Sequence, residues 1–392
     1  DATHPSYTLY TSGTTGKPKG VQRDTGGYAV ALAASMKHIY CGSPGETYFS
    51  TSDIGWVVGH SYIIYGPLLH GMSTIMYEGL PIRPDAGIWW SLVEKYRVTA
   101  MFSAPTAVRV LKKQDPALLK KHDLSSLRAL FLAGEPLDEP TATWIAGAIN
   151  KPIIDNYWQT ETGWSICGNF VGLELMPIKP GSCSVPAPGW DMRVLDDAGH
   201  EIERGQVGAL VAKLPMPPGA FPTLWNADER FRQAYLADFP GYYKTGDAGF
   251  IDQDGYVSVM TRVDDVINVA GHRLSTGQIE EVLASHDDVA ECACVGVADD
   301  LKGQVPLGFL VLKSGVNRPP EQITAEAVQM VRDRIGPVAF FKQALVVPRL
   351  PKTRSGKIMR RLLRVLAKGE EITQDVSTLE NPAILEQLSE TH

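Results

Sequence analysis

Apolar positions along the first 180 residues fall into short runs that switch between strand-like and helical spacing. SYTLY (Ser6–Tyr10) alternates as a strand does, and TGGYAVALAASMKHIY, from Thr25, has helical spacing suited to covering a sheet. Strand-like STIMYEG, a helix around WWSLVEKY, strand-like TAMFSAP and a helix through AVRVLKKQ follow. ALFLAGE and PIIDNYW are short apolar runs that end in polar clusters. This alternation predicts an α/β layer with a largely parallel sheet, whose ligands sit at the carboxyl ends of the strands.

Beyond about residue 180 the texture becomes short alternating strands, DMRVLDDAGHEI and GFIDQDGYVSVM, with turns at Asp197-Ala198-Gly199 and Asp254-Gly255. This stretch predicts a small β-subdomain. After Arg262-Val263-Asp264-Asp265 the pattern changes again. Ser275 and Gln278 have capping-box spacing and open a helix, QIEEVLASH. Strands AECACVGV and PLGFLVLK, a helix EQITAEAVQMVRDRI, a strand ALVVP and a last helix from Lys357 complete a piece of about 100 residues, enough for a separate domain. The acidic tail after Lys368 reads as frayed.

Composition narrows the class. The 392 residues suffice for two or three structural units, and a formal charge of −7 gives no support to a nucleic-acid partner. No apolar run reaches the roughly 18 residues of a membrane span. Five cysteines without CxxC spacing predict a reducing compartment, and Cys292 and Cys294 read as buried apolar residues on one strand face. His60, in WVVGHSY, reads as a packed, hydrogen-bonded histidine.

The strand at the start leads into TSGTTGKPKG, Thr11–Gly20. Glycines let such a loop present N–H groups to an anion, hydroxyls donate to phosphate oxygens, and two lysines supply charge. A Walker A loop is excluded: Thr11 stands where its first glycine should be, and Pro18 where its metal-binding hydroxyl should be. A phosphate-binding loop of another kind is expected.

TSGTTGKPKG, YWQTETG (Tyr157–Gly163), YYKTGD (Tyr242–Asp247), RVDDVINVAGHRL (Arg262–Leu274) and PKTRSGK (Pro351–Lys357) together, in this order, resemble the signatures of the adenylate-forming superfamily, and most closely its short-chain acyl-CoA synthetases. DIGWVVGHSYIIYGPL and DNYWQTETGW look most like the propionyl members. The resemblance implies an α/β fold: a large AMP-binding domain over residues 1–263, layered α/β with the small β-subdomain, a mobile α+β C-terminal domain over 264–368, and a flexible tail over 369–392. It also implies that a large segment precedes the phosphate loop in relatives, so this chain is expected to be N-terminally truncated. The expected compartment is the cytoplasm, with the mitochondrial matrix left open.

The implied reaction is ATP, propionate and coenzyme A to AMP, pyrophosphate and propionyl-CoA through a propionyl-adenylate. Residue by residue, the resemblance implies that Thr11, Ser12, Gly13, Thr14, Thr15, Gly16 and Lys17 hold phosphates and that Thr160 touches the α-phosphate. Glu161 is the implied Mg²⁺ ligand. Gly134, Glu135 and Pro136, with Asp155, Asn156, Tyr157, Trp158 and Gln159, belong to the nucleotide pocket. Asp247 accepts the ribose hydroxyls, assisted by Arg262, and Arg273 approaches a phosphate. Lys357 is the adenylation lysine and a candidate target of acylating and deacylating enzymes. Asp264 is the hinge. Gly271 and Arg332 face coenzyme A, and His286 joins a peripheral cation site. Ala270 replaces the serine of acetyl-CoA synthetases. Trp158 forms the floor of the acyl pocket with Val57 and Val58, the latter a methyl-bearing replacement for threonine, which favours propionate over acetate by about 1–3 kcal/mol. Acetyl- or butyryl-preferring synthetases, a carrier-loading relative and a catalytically incompetent nucleotide-binding fragment remain the competing readings. In the helix after Lys357, the basic residues Arg360, Arg361, Arg364 and Lys368 are expected on a solvated face.

Overall fold

The computed structural model describes residues 1–11, 18–137, 139–270, 272–352 and 358–370, together with Leu379 and Asn381. A hairpin of β1 (Pro5–Thr11) and β2 (Lys19–Asp24) precedes helix α1 (Gly26–His38). Next come β3 (Thr47–Ser50), the three-residue α2 (Val57–Gly59), a π-helical stretch over His60–Tyr65 and α3 (Gly66–Leu69). β4 (Ser73–Ile75), α4 (Ile88–Tyr96), β5 (Val98–Ser103), α5 (Pro105–Lys112), β6 (Ala129–Leu132), α6 (Glu139–Ile149) and β7 (Ile153–Asp155) then alternate. The strands form a five-stranded parallel sheet in the order β4-β3-β5-β6-β7.

Strands buried on both faces need apolar residues at every position, which is why ALFL and TAMFS carry no polar alternation. Successive side chains then serve opposite layers. Tyr48, Phe102 and Phe131 join a core with Tyr28, Leu32 and Met36 of α1. Phe49, Met101, Leu130 and Leu132 join a second with Trp89, Trp90 and Val93 of α4, Leu111 of α5 and Ile145 of α6.

A two-stranded β8 (Cys167–Gly168) and β9 (Val185–Pro186) leads to a four-stranded sheet of β10 (Met192–Leu195), β11 (Gly208–Lys213), β12 (Tyr242–Ile251) and β13 (Val257–Arg262). Helix α7 (Asp228–Tyr235) lies between β11 and β12 in the chain. A first compact unit contains Pro18–Thr245 and Gly249–Val259 with the N-terminal strand, and a second contains Gly246–Ala248 and Met260–His392.

In the second unit β14 (Val266–Val269), β15 (His272–Ser275), β16 (Val289–Asp299) and β17 (Gly303–Leu312) order as β15-β14-β17-β16, with β18 (Gln343–Val346) parallel on β17. Ser275 caps α8 (Thr276–Ala284) by accepting the Gln278 N–H at 3.4 Å. Cys292 and Cys294 face α8 and α9 (Pro320–Arg334), while Ala293 and Val295 face α10 (Arg360–Ala367). Burial pushes the Cys292 thiol up to about 12, so both cysteines act as small apolar side chains. In α10 the buried stripe is Leu362, Leu363 and Leu366, with Val365 only half-buried.

Two expectations are corrected. His60 Nδ1 is buried with no hydrogen-bond partner among the described residues, and its ring packs edge-on to Tyr7 at 5.0 Å. Burial, then the Arg23 charge, lowers its pKa and so disfavours the protonated ring. The basic face of α10 is also not simply solvated: Arg360 and Arg364 are engaged in ion pairs. The expected tail lies largely outside the described residues.

Candidate active site

At the carboxyl end of β7 the chain enters a loop closed on itself by Tyr157 and Cys167. The Tyr157 N–H donates to the Cys167 carbonyl at 3.1 Å, and the Ile166 N–H to the Tyr157 carbonyl at 2.8 Å. Inside it, Thr162 Oγ1 accepts the Gln159 N–H at 3.1 Å, and the Gly163 N–H donates to the Gln159 carbonyl at 3.0 Å. Gly163 has φ +75°, and a Cβ there would sit 2.7 Å from the Arg23 guanidinium, so glycine is required twice over.

Arg23, on β2, is 1% exposed and donates to the carbonyls of both Thr160 and Glu161. The Gln159 side chain is fixed at both ends: Nε2 donates to the Thr245 carbonyl at 2.8 Å, and Oε1 accepts from Tyr243 OH at 2.9 Å. Ser61 of the π-helical stretch donates to the Gly163 carbonyl at 2.6 Å. The loop backbone is thereby committed to internal bonds.

The Glu161 carboxylate pairs with Lys19 and accepts from Tyr235 OH at 3.0 Å, with Lys19 also 5.0 Å from the centre of the Tyr235 ring. Burial pushes this carboxyl up, but the charge and hydrogen bond of Lys19 outweigh it, so it is held below its usual range. Its ionised state is therefore built in. Thr11 and Lys19 face each other at the hairpin, while Ser12, Gly13, Thr14, Thr15, Gly16 and Lys17 lie outside the described residues.

Trp158 is buried, edge-on to Tyr62 at 5.2 Å and to Phe102 at 6.3 Å. Val57 belongs to the same core, and Val58 packs against it. Tyr62 interrupts the helical backbone with φ −129° and ψ 15°, and its helix continues directly from Val57–Gly59. Asn156 is buried; its Nδ2 donates to the Ile154 carbonyl at 3.4 Å, and its Oδ1 has no partner among the described residues.

Asp155 lines a cavity of about 40 Å³ with Ile153, Ser182 and Ser184, and burial pushes its carboxyl up to about 8. The turn at Gly134, where φ is +102°, is held by α5. Glu135 accepts the Thr106 N–H at 2.6 Å and Arg109 at 3.1 Å, and Arg109 also donates to the Pro136 carbonyl at 2.9 Å.

The second unit carries the other set. Arg262 donates to the buried Asp247 at 3.2 Å. Asp264 lies in a single 3₁₀ turn, Val263–Asp265, with its side chain exposed. Ala270 has φ +49°, and its N–H donates to the Lys302 carbonyl at 2.8 Å. Arg332 is exposed on α9. Gly271, Lys357 and the Arg273 side chain lie outside the described residues.

His286 is buried: its Nδ1 accepts the Asp288 N–H at 3.1 Å, and its Nε2 meets Glu326 at 3.1 Å. Among the described residues no group of three or more histidine, cysteine or acidic residues is arranged to hold a metal. Arg23 and Tyr235 were not singled out from the sequence. Lys19 and Tyr243 carried a signal there only as members of the phosphate-loop and YYKTGD motifs.

The model of the AMP-binding enzyme family matches residues 1–219, and that of the AMP-binding enzyme C-terminal domain matches residues 278–357. The chain is 50% identical over 391 residues to the human acyl-CoA synthetase short-chain family member 3, mitochondrial, covering 99% of this chain and 57% of that protein. It is 50% identical over 394 residues to a propionate–CoA ligase of Escherichia coli K12, covering 99% of this chain and 63% of that one. The chain thus spans about three fifths of the length of such relatives. An acetoacetyl-CoA synthetase from Streptomyces lividans shares the fold, with a TM-score of 0.88 at 23% identity over 99% of this chain and 59% of that one.

Two outcomes follow for the loop and its strand. Arg23→Met keeps most of the volume but leaves the Thr160 and Glu161 carbonyls without their donor, at a cost of about 1–3 kcal/mol for each buried acceptor; an unchanged denaturation midpoint would refute the clamp. Asp155 retains a proton in the folded state that the unfolded chain loses near pH 4, so its contribution to stability falls as pH rises from about 4 to about 8. Asp155→Asn should remove that part of the slope in urea midpoints measured across the window, and an unaltered slope would contradict it.

Proposed function

The chain belongs to the AMP-binding enzyme family, and on that premise we propose that the protein carrying it is an AMP-forming acid–thiol ligase joining propionate to coenzyme A. The observation that carries the reading is the ionised Glu161 beside Lys19, on a loop whose Thr160 and Glu161 carbonyls are both held by Arg23. A carboxylate kept charged on an anchored backbone is what a hydrated Mg²⁺ accompanying ATP phosphates needs from a protein. A single protein carboxylate suits that ion, and Glu161 would be the side chain to hold it. When bound, Mg²⁺ would neutralise charge on the triphosphate.

In the first half-reaction a propionate oxygen attacks the α-phosphorus, the bond to the β-phosphate bridging oxygen breaks, and pyrophosphate leaves with the electron pair. Lys357 would lie between the two anionic reactants where their repulsion peaks, with Thr160 on the α-phosphate and residues 11–17 on the outer phosphates. Asn156 Oδ1, a buried acceptor with no partner among the described residues, is suited to the adenine amino group. Gly134, Glu135 and Pro136 would border the base, and Asp247 with Arg262 would hold the ribose and Arg273 a phosphate. In the second half-reaction the coenzyme A sulfur attacks the acyl carbon, AMP leaves, and the thiol proton goes to solvent. Gly271 and Arg332 are the groups assigned to coenzyme A, and Asp264 is assigned the pivot between the two steps. Acylation of Lys357 would remove its charge and stop the first step.

The propionate reading is supported by Trp158, assigned to the floor of the acyl pocket, whose indole is held edge-on by Tyr62 and Phe102. Among the described residues no helix is long and apolar enough to cross a membrane.

In the full-length protein, Trp158→Gly should shift the acid profile towards five- and six-carbon acids while propionate turnover falls; a parental chain-length profile would remove Trp158 from the pocket. Lys357→Ala should lower acid-dependent pyrophosphate exchange by about 10²–10³-fold, as for other single charge-stabilising groups. Synthetic propionyl-adenylate with coenzyme A should still give propionyl-CoA at close to the parental rate. Equal loss of both steps would show the lysine to be shared or structural.

A further inference from the structure

The arginines of α10 converge on the segment that contains Asp264. Arg360 is bidentate on Glu280, with Nε 3.0 Å from Oε1 and Nη2 2.6 Å from Oε2. The same Glu280 Oε1 accepts the Cys294 N–H at 2.8 Å, fixing the carboxylate against β16. Arg360 Nη1 lies 4.0 Å from Asp265 Oδ2. One turn along, Arg364 Nη2 donates to the Asp264 carbonyl at 2.6 Å and pairs with the Asp265 carboxylate. The Asp265 and Glu280 side chains are 13% and 16% exposed. Two cations thus meet two carboxylates in a mostly buried, charge-balanced set within the second unit. Exposed ion pairs contribute little, but a desolvated fork with shared acceptors fixes geometry.

We propose that Arg364 and Arg360 are positioning residues that weld the peptide between Asp264 and Asp265 to α10, so that hinge rotation is confined to the φ and ψ of Asp264. The inference rests on the reading of Asp264 as the pivot of an adenylating enzyme. The reason lies in which atoms a rotation moves. Turning φ or ψ of Asp264 carries its carbonyl oxygen along with everything that follows it in the chain. Holding that oxygen from α10 therefore does not oppose rotation at Asp264. It does oppose bending at Asp265 or Val266, because those bonds would drag the carbonyl away from Arg364 or the carboxylate from both arginines. With α10 tied to the peptide after the pivot, the second unit follows the whole of a rotation at Asp264. Without the weld, part of the rotation would be absorbed between the pivot and β14, and everything beyond would stop short. Gly271 and Arg332, assigned to coenzyme A, also follow the pivot, so both half-reactions would lose rate.

The test compares the full-length protein with Arg364→Ala and Asp265→Asn, the second preserving side-chain size should the first fail to fold. Amide hydrogen exchange in a peptide covering residues 263–269 should accelerate in both variants, while exchange in β16 and β17 stays parental. Acid-dependent pyrophosphate exchange should fall by about ten- to a hundredfold, the scale for a misplaced catalytic group. Coenzyme A transfer from synthetic propionyl-adenylate should fall as well, at temperatures where both variants remain folded. Arg364→Lys, which keeps the charge but not the fork, should fall between parent and alanine variant. Unchanged exchange at 263–269, or losses that only track a lowered melting temperature, would overturn the proposal. Should the parent itself show no pyrophosphate exchange with any short-chain acid, the enzymatic reading fails, and hydrogen exchange alone still decides the weld.

Discussion

The candidate site depends on one requirement: the carbonyls at the turn after β7 must have donors before Glu161 can be presented to anything else. Arg23 meets it. Its buried guanidinium donates to the carbonyls of Thr160 and Glu161, and the missing Cβ of Gly163 leaves room for it. Once the backbone is tied down, Lys19 and Tyr235 set the charge state of the carboxylate, and Gln159 bridges to Tyr243 and the Thr245 carbonyl. A buried arginine is expensive to desolvate, and its cost is offset only because each acceptor would itself be orphaned without it. The loop therefore exchanges stability for a fixed geometry, as pre-organised sites do.

The layers around this loop follow from chain periodicity. Each strand of the parallel sheet sends alternate residues to two separate cores, Phe102 and Phe131 to one, Met101 and Leu130 to the other. The sheet consequently ends its strands in register near the polar turns at Gly134 and Asn156. In the second unit β16 divides in the same way, with Cys292 and Cys294 towards α8 and α9 and Ala293 and Val295 towards α10. Both units use one rule, that a strand covered on two sides reads as continuous apolar sequence.

That rule explains what was legible. ALFL, AECACVGV and the Ser275 cap announce themselves within a few residues, because burial on both faces and capping leave local marks. QTETG is legible as a motif, yet its supports are not. Arg23 lies 137 residues from Thr160, and nothing in its own neighbourhood distinguishes it from a solvated arginine. The same holds for Arg360, whose partner Glu280 is 80 residues away; helical periodicity placed it on a polar face correctly and could not show that the face was occupied. His60 went wrong in the opposite direction, since a histidine among apolar residues was expected to find a hydrogen bond and instead has a buried Nδ1 beside Tyr7. His286 is buried and bonds to Asp288 and Glu326, the second 40 residues away.

The central claim is that a carboxylate oxygen attacks the α-phosphorus and leaves with AMP. It is tested most directly by supplying the full-length protein with propionate labelled with oxygen-18 in its carboxylate, together with ATP and coenzyme A, and reading the products by mass spectrometry. The account predicts one labelled oxygen in each AMP formed, unlabelled pyrophosphate and one propionyl-CoA per AMP. Label in orthophosphate with ADP as the nucleotide product, or AMP carrying no label, would contradict it.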